Sequence, residues 1–324
     1  MTILFAILAL LLSALLFPFL FTAWTARKVE ALLPPKGRFV EAAGMRLHVR
    51  EFDGPAGAPA LLLVHGLGGQ TGHYTYALTG LLAGRYRIVA VDRPGNGHSS
   101  AGSADLADQA AALAAVIGQL GLQRPLVAGH SLGGAVALAL ALDHPQHVAG
   151  LALLAPLTHM QDAVPAVFKS LTIESAPLRT FIAWTFAIPA SIRNSRKVLD
   201  QVFGPDAVPK DYAMRGGGLL GLRPKTFLAA SADVQALPAR LPQQQARYAS
   251  LRVPLRILYG REDRILDWRA HGQALADAVP GARLELIDGG HMLPVTHAQA
   301  CAGLIDAVAA ACAQDGGAMA RGVS

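Results

Sequence analysis

Six short apolar runs recur along the chain: Ala60 to His65, Arg87 to Asp92, Leu126 to His130, Gly150 to Leu154, Leu255 to Tyr259 and Leu284 to Asp288. Helical patterns such as Asp105 to Leu120, Leu132 to Leu142 and Trp268 to Val279 separate most of them. Runs without polar alternation suit strands covered on both faces, and strands that alternate with helices pair in parallel. Two earlier segments, Arg38 to Glu41 and Met45 to Phe52, read as a hairpin around Gly44. The expectation is an α/β sheet, mainly parallel, with a core over residues 38–156 and 251–313. Residues 157–250 break the alternation and read as a mostly helical cap.

At 52% hydrophobic and 15% charged, 324 residues carry ample apolar surface for such a core. The two cysteines, Cys301 and Cys312, lie in one alanine-rich helical stretch, about 16 Å apart along its axis, so no disulfide is expected. No metal-ligand spacing is present, and neither a metal nor a cofactor is expected. The net charge of +6 is concentrated in the cap, which carries 11 Lys and Arg against 6 Asp and Glu. A basic cap suits an anionic lipid surface. No nucleic-acid partner is expected.

Ile3 to Trp24 is an uncharged run of 22 residues, long enough at about 1.5 Å per residue to cross a ~30 Å hydrocarbon layer. Residues 1–26 therefore read as a transmembrane anchor and 27–37 as a juxtamembrane linker containing Pro34-Pro35, while residues 314–324 read as a loose tail. A cleaved signal peptide is the rival reading, but no Lys or Arg precedes the run and no small-x-small site follows it. Arg27 and Lys28 would place the following domain in the cytoplasm by the positive-inside rule.

Gly129-His130-Ser131-Leu132-Gly133 lies between a strand and an apolar helix. So sharp a turn brings backbone close on both sides of the serine, which glycine alone tolerates, and exposes the hydroxyl as a nucleophile. A serine needs a base and an orienting acid. His291 follows the last strand in Asp288-Gly289-Gly290-His291, and Asp263 follows the preceding one in Gly260-Arg261-Glu262-Asp263. Glu262 and Asp267 are rival acids, whereas His98, His130, His144 and His297 read as turn or surface residues. Backbone donors for a tetrahedral oxyanion are expected at Leu132 and, in His65-Gly66-Leu67-Gly68-Gly69, at Leu67. Arg215-Gly216-Gly217-Gly218 reads as a hinge.

Together His65-Gly66, Asp92 to Ser99, Gly129 to Gly133, Gly260 to Asp263 and Gly290-His291 resemble the α/β-hydrolase superfamily over residues 38 to 313. The resemblance implies the α/β-hydrolase fold, an eight-stranded sheet with a cap after the sixth strand, cofactor-free acyl-enzyme chemistry, and Ser131, Asp263 and His291 as the triad. Serine at the nucleophile position speaks against the haloalkane dehalogenases and epoxide hydrolases, which use aspartate there. With its apolar N-terminus the chain is similar to bacterial membrane-anchored esterases that include phospholipase A enzymes. That similarity implies a single-pass inner-membrane protein with a periplasmic catalytic domain, against the flanking charges, and an acyl ester or phospholipid of the bilayer as substrate. Oligomeric state stays open, a homodimer included. Of the apolar cap residues Val164, Val167, Phe168, Leu171, Leu178, Phe181, Ile182, Trp184, Phe186 and Ile188, most are expected to pack the cap onto the core and a minority to line an acyl pocket. Rival readings are carbon–carbon bond hydrolysis or aminopeptidase action on the same triad, and a catalytically silent receptor or scaffold.

Overall fold

The computed structural model describes residues 1–161 and 163–321, with side chains described outside 6–12, 15 and 315–321. Eight strands form one sheet: β1 (Arg38–Ala42), β2 (Met45–Phe52), β3 (Ala60–Val64), β4 (Arg87–Val91), β5 (Leu126–His130), β6 (Gly150–Leu154), β7 (Leu255–Gly260) and β8 (Arg283–Ile287). Their order is β1-β2-β4-β3-β5-β6-β7-β8. β2 pairs antiparallel with β1 and β4, and every later pairing is parallel. From β3 the chain moves to one side for β4 and then to the other for β5. A crevice opens where connections diverge in this way, beyond the carboxyl ends of the strands.

Leu61, Leu62, Leu63 and Val64 are wholly buried, as unbroken apolar strands require. Each such side chain stabilises the fold by about 1.5–3 kcal/mol relative to exposure. The Leu132–Asp143 helix is apolar on every side and buried along nearly its whole length. The Leu106–Gln119 helix begins where expected because the Asp105 carboxylate accepts the Ala107 N–H at 2.9 Å, capping its first turn.

Residues 2–32 form one helix, Thr2–Leu32. It runs through residues 27–32, where a linker was expected, because Thr22, Thr25 and Val29 make a buried stripe against the cap. Thr22 Oγ1 donates to the Thr185 carbonyl at 3.3 Å, and Glu30 lies 3.6 Å from the buried guanidinium of Arg223. Among the described residues no helix is long and apolar enough to cross a membrane. The transmembrane element expected at Ile3–Trp24 is thus no part of the fold as described, although it falls in part on side chains 6–12 and 15, outside the described ones.

The cap contains the helices Ala176–Trp184, Ala187–Phe203 and Pro224–Gln245. Residues 314–321, expected in a loose tail, continue the alanine-rich Ala298–Arg321 helix, and 322–324 lie outside the described residues.

Candidate active site

Ser131 stands between β5 and the Leu132–Asp143 helix with φ 54° and ψ −123°. A non-glycine residue in that region is strained, so neighbours must hold it there. Its N–H donates to the Leu154 carbonyl at 3.0 Å, and its carbonyl accepts from Gly134 at 2.8 Å and Leu157 at 2.9 Å. A Cβ on Gly129 would strike the Gly133 carbonyl, and one on Gly133 would strike the carbonyls of Val64 and His65. The glycines are required by this close approach.

Two buried histidines carry carboxylate partners. His48 Nδ1 lies 2.7 Å from Asp92, but its Nε2 is taken up by the Lys36 carbonyl at 2.9 Å. His291 Nδ1 lies 2.7 Å from Asp263 Oδ2, while Asp263 Oδ1 accepts the backbone N–H groups of Ile265 and Leu266 at 2.8 and 3.0 Å. Among the described residues His291 Nε2 has no hydrogen-bond partner, and His291 and Ser131 line the same cavity. No hydrogen bond joins Ser131 Oγ to His291 in this arrangement; such contacts commonly tighten only when substrate is bound. The rival acids act elsewhere: Glu262 accepts the Gly289 N–H at 2.7 Å and Asp267 the Arg269 N–H at 2.9 Å.

The loop after β3 passes directly under Ser131, since a Cβ at Gly66 would come within 2.8 Å of Ser131 Cβ. Leu67 and Leu132 both line the cavity, and neither N–H is engaged by a backbone carbonyl among the described residues. The peptide planes are held from behind by Arg93, which is 1% exposed. Arg93 Nε donates to the His65 carbonyl at 3.0 Å, and its Nη2 to the Gly66 carbonyl at 3.1 Å and Asp233 at 2.9 Å. Asp92 anchors the far end of the loop by accepting the Thr71 N–H at 2.7 Å. Burial alone would raise the Asp92 carboxyl, but the His48 hydrogen bond and the nearby His65 outweigh it and hold its pKa down to about 2.

Sequence reasoning missed Arg93, Asp233, Gln70, His73 and Tyr212. Gln70 donates to the Gly216 carbonyl, so the expected hinge at 215–218 is latched to the loop after β3. Tyr212 Oη and His73 Nε2 are 3.0 Å apart beside the cavity. His130, read as a turn or surface residue, is 2% exposed and lies against His291, with 4.9 Å between ring centroids. Burial and the nearby Arg93 drive His65 down to about 3, burial takes His73 to about 4, and burial with the nearby His291 keeps His130 well below the ordinary value. These three imidazoles are neutral near pH 7, and His291 has the only carboxylate-backed ring nitrogen open to the cavity among the described residues.

The cavity holds about 340 Å³, towards the small end of the ~300–1,000 Å³ usual for ligand sites. Phe168, Val198, Val202, Leu237, Leu241 and Met292 supply much of its wall. Of the ten apolar cap residues singled out in the sequence, Val164 and Phe168 reach it. Among the described residues, no group of His, Cys, Asp and Glu is arranged to hold a metal.

The model of the alpha/beta hydrolase family matches residues 61–304. The dihydrolipoyllysine-residue acetyltransferase component of the acetoin cleaving system of Cupriavidus necator is 31% identical over 265 residues, 79% of this chain and 64% of that protein. The chain therefore spans just under two thirds of that relative's length. The magnesium-chelatase 30 kDa subunit of Rhodobacter capsulatus is 31% identical over 78% of this chain and 87% of its own. Among solved structures, a bacterial membrane phospholipase A superposes with a TM-score of 0.67 at 25% identity, covering 95% of this chain and 99% of that one. With a family match over most of its length, and the strained serine turn and the His291–Asp263 pair meeting at one cavity, this chain belongs to the alpha/beta hydrolase family.

Proposed function

We propose that the chain is a serine carboxylic ester hydrolase, tethered to a bilayer by its N-terminus and acting on acyl or phospholipid esters. The observation that carries the reading is the single open ring nitrogen of His291, backed by Asp263, sharing an apolar cavity with the strained Ser131. In the proposed cycle Ser131 Oγ attacks the ester carbonyl as His291 Nε2 takes its proton, with Asp263 fixing the tautomer and stabilising the imidazolium. The oxyanion is met by the N–H groups of Leu67 and Leu132. His291 then protonates the departing alcohol, leaving an acyl ester on Ser131, and water repeats the sequence to release the acid.

An acyl chain is favoured as occupant because the cavity wall is apolar. The tether rests on the sequence of Ile3–Trp24. Pro18 is buried against the protein, and residues 1–17 ahead of it span only about 26 Å at ~1.5 Å per residue. Reaching across a ~30 Å layer would draw Phe19 and Leu20, both exposed, into the membrane as well. In this proposal the protein sits in a bacterial inner membrane with its site on the periplasmic side.

The test is a p-nitrophenyl ester series, together with phosphatidylglycerol vesicles, assayed on the full chain and on Ser131→Ala. At ~0.8 kcal/mol per buried methylene, kcat/KM is expected to rise about fourfold per added carbon until the cavity is full. Ser131→Ala is expected to lose both turnover and fluorophosphonate labelling. Preference for acetate, with no fatty acid released from vesicles, would overturn the lipid substrate; undiminished labelling of Ser131→Ala would overturn the serine mechanism.

A further inference from the structure

Asp233 lies on the cap helix Pro224–Gln245, outside every motif expected at the site, yet it is 3% exposed. Its carboxylate meets Arg93 Nη2 at 2.9 Å, and Gln109 closes the network: Gln109 Nε2 donates to Asp233 Oδ1 at 3.1 Å and Arg93 Nη1 donates to Gln109 Oε1 at 2.8 Å. A buried guanidinium is tolerated only when paired in this way. The same guanidinium grips the His65 carbonyl through Nε and the Gly66 carbonyl through Nη2, the nitrogen that also meets Asp233.

The Gly66 carbonyl and the Leu67 N–H belong to one peptide unit. In a planar trans peptide the C=O and N–H point in opposite directions. Arg93 holds the Gly66 oxygen, which also lies 2.8 Å from His65 Nδ1 and accepts the Gly69 N–H at 3.2 Å; the opposed Leu67 N–H is therefore turned away from Arg93, and Leu67 itself lines the cavity.

We propose that Asp233 is a positioning residue of the oxyanion hole: through Arg93 the seated cap sets the plane of the Gly66–Leu67 peptide. The inference rests on the ester-hydrolase reading above and adds a condition to it, namely that the hole is complete only while the cap is docked. A cap that lifts would release Arg93 and let the peptide turn, so opening for substrate and readiness for chemistry are coupled at one buried ion pair.

The experiment compares the full-length chain with Asp233→Asn, Asp233→Ala and the milder Gln109→Leu, each normalised to active sites by burst titration. The readouts are kcat, KM and the inhibition constant of a trifluoromethyl ketone, which forms a tetrahedral adduct needing the hole. Losing one oxyanion donor outright costs about 10²–10³ in kcat. A misaligned donor is expected to cost about tenfold in the Asp233 variants, with KM within about twofold and adduct affinity falling in parallel with kcat/KM. A purely structural role would lower the number of titratable sites and leave kcat and adduct affinity per site unchanged, overturning the proposal. Should the Asp233 variants fail to fold, Gln109→Leu is judged by the same criterion. Loss of all turnover in Ser131→Ala alongside wild-type behaviour of the three variants would sink this inference alone, whereas turnover surviving Ser131→Ala would sink the underlying reading.

Discussion

Leu61 to Val64 in β3 are wholly buried, whereas Leu178, Phe181, Trp184 and Phe186 on the cap are 49, 44, 38 and 47% exposed. The strand residues are accounted for by the sheet they hold together. The cap residues are not, and Trp184 continues outward from Phe19 of the N-terminal helix, with 5.9 Å between ring centroids. Contiguous exposed apolar surface of this kind marks a contact with something outside the chain. In the proposed reading one part of the molecule serves chemistry inside the protein and the other the bilayer, and their contributions should be separable.

The largest effect expected falls on the chemical side alone. Asp263→Asn should cost about 10⁴ in kcat, because an amide no longer holds the His291 tautomer. Binding to vesicles should stay unchanged. A variant that lost membrane association along with activity would break the separation, and co-sedimentation measured beside turnover reads both.

The seam between the two regions should be sensitive to acid. His65 and His73 are held neutral, with pKa values of about 3 and about 4 against the ordinary 6.5. On acidification the unfolded chain takes up these protons first, so the stability is full above about pH 6.5 and is lost as pH falls towards the folded values. Asp92, depressed to about 2 from 3.8, adds a further loss between those values. The expected fall between pH 7 and pH 5 is on the order of 2 kcal/mol or more, at ~1.4 kcal/mol per pKa unit. Urea midpoints at the two pH values measure it. Equal midpoints would contradict the burial of neutral imidazoles.

The smallest effect on stability should come from the cap surface. Phe181→Ser is expected to change unfolding free energy by no more than about 0.5 kcal/mol, as for other exposed sites. Leu258→Ala, at a core residue 1% exposed, should cost about 2–5 kcal/mol. Phe181→Ser should nonetheless weaken binding to phosphatidylglycerol vesicles while hydrolysis of a soluble ester is unaffected. Large destabilisation in Phe181→Ser would mean that this side chain is core after all.

The inner strands β3 to β7 were legible because a strand covered on both faces is continuously apolar, and β1 and β2 as a hairpin around Gly44; all eight came within about one residue of their expected ends. Gly129-His130-Ser131-Leu132-Gly133 was legible for a related reason: local backbone crowding admits only glycine at set positions. The cap was legible only as an interruption. Leu171 and Ile188 are buried, Phe168 lines the cavity and Phe181 faces outward, although all four look alike in the sequence. Residues 27–32 are helical where a linker was expected because the burial of Thr25 and Val29 depends on a cap surface built from residues about 150 positions away.

By itself the sequence determined what depends on neighbours along the chain: strand periodicity, the glycine-bounded serine turn, and the order of Ser131, Asp263 and His291. Only the tertiary structure decided which of the two buried, carboxylate-paired histidines keeps its other ring nitrogen open. His48 and His291 each face a carboxylate at 2.7 Å, but the Lys36 carbonyl occupies the second nitrogen of His48, whereas His291 lines the cavity. The pairing of Arg93 with Asp233, 140 positions apart, was likewise settled in three dimensions. A charge can be buried only where its partner arrives from elsewhere in the fold, and no local pattern announces that arrival.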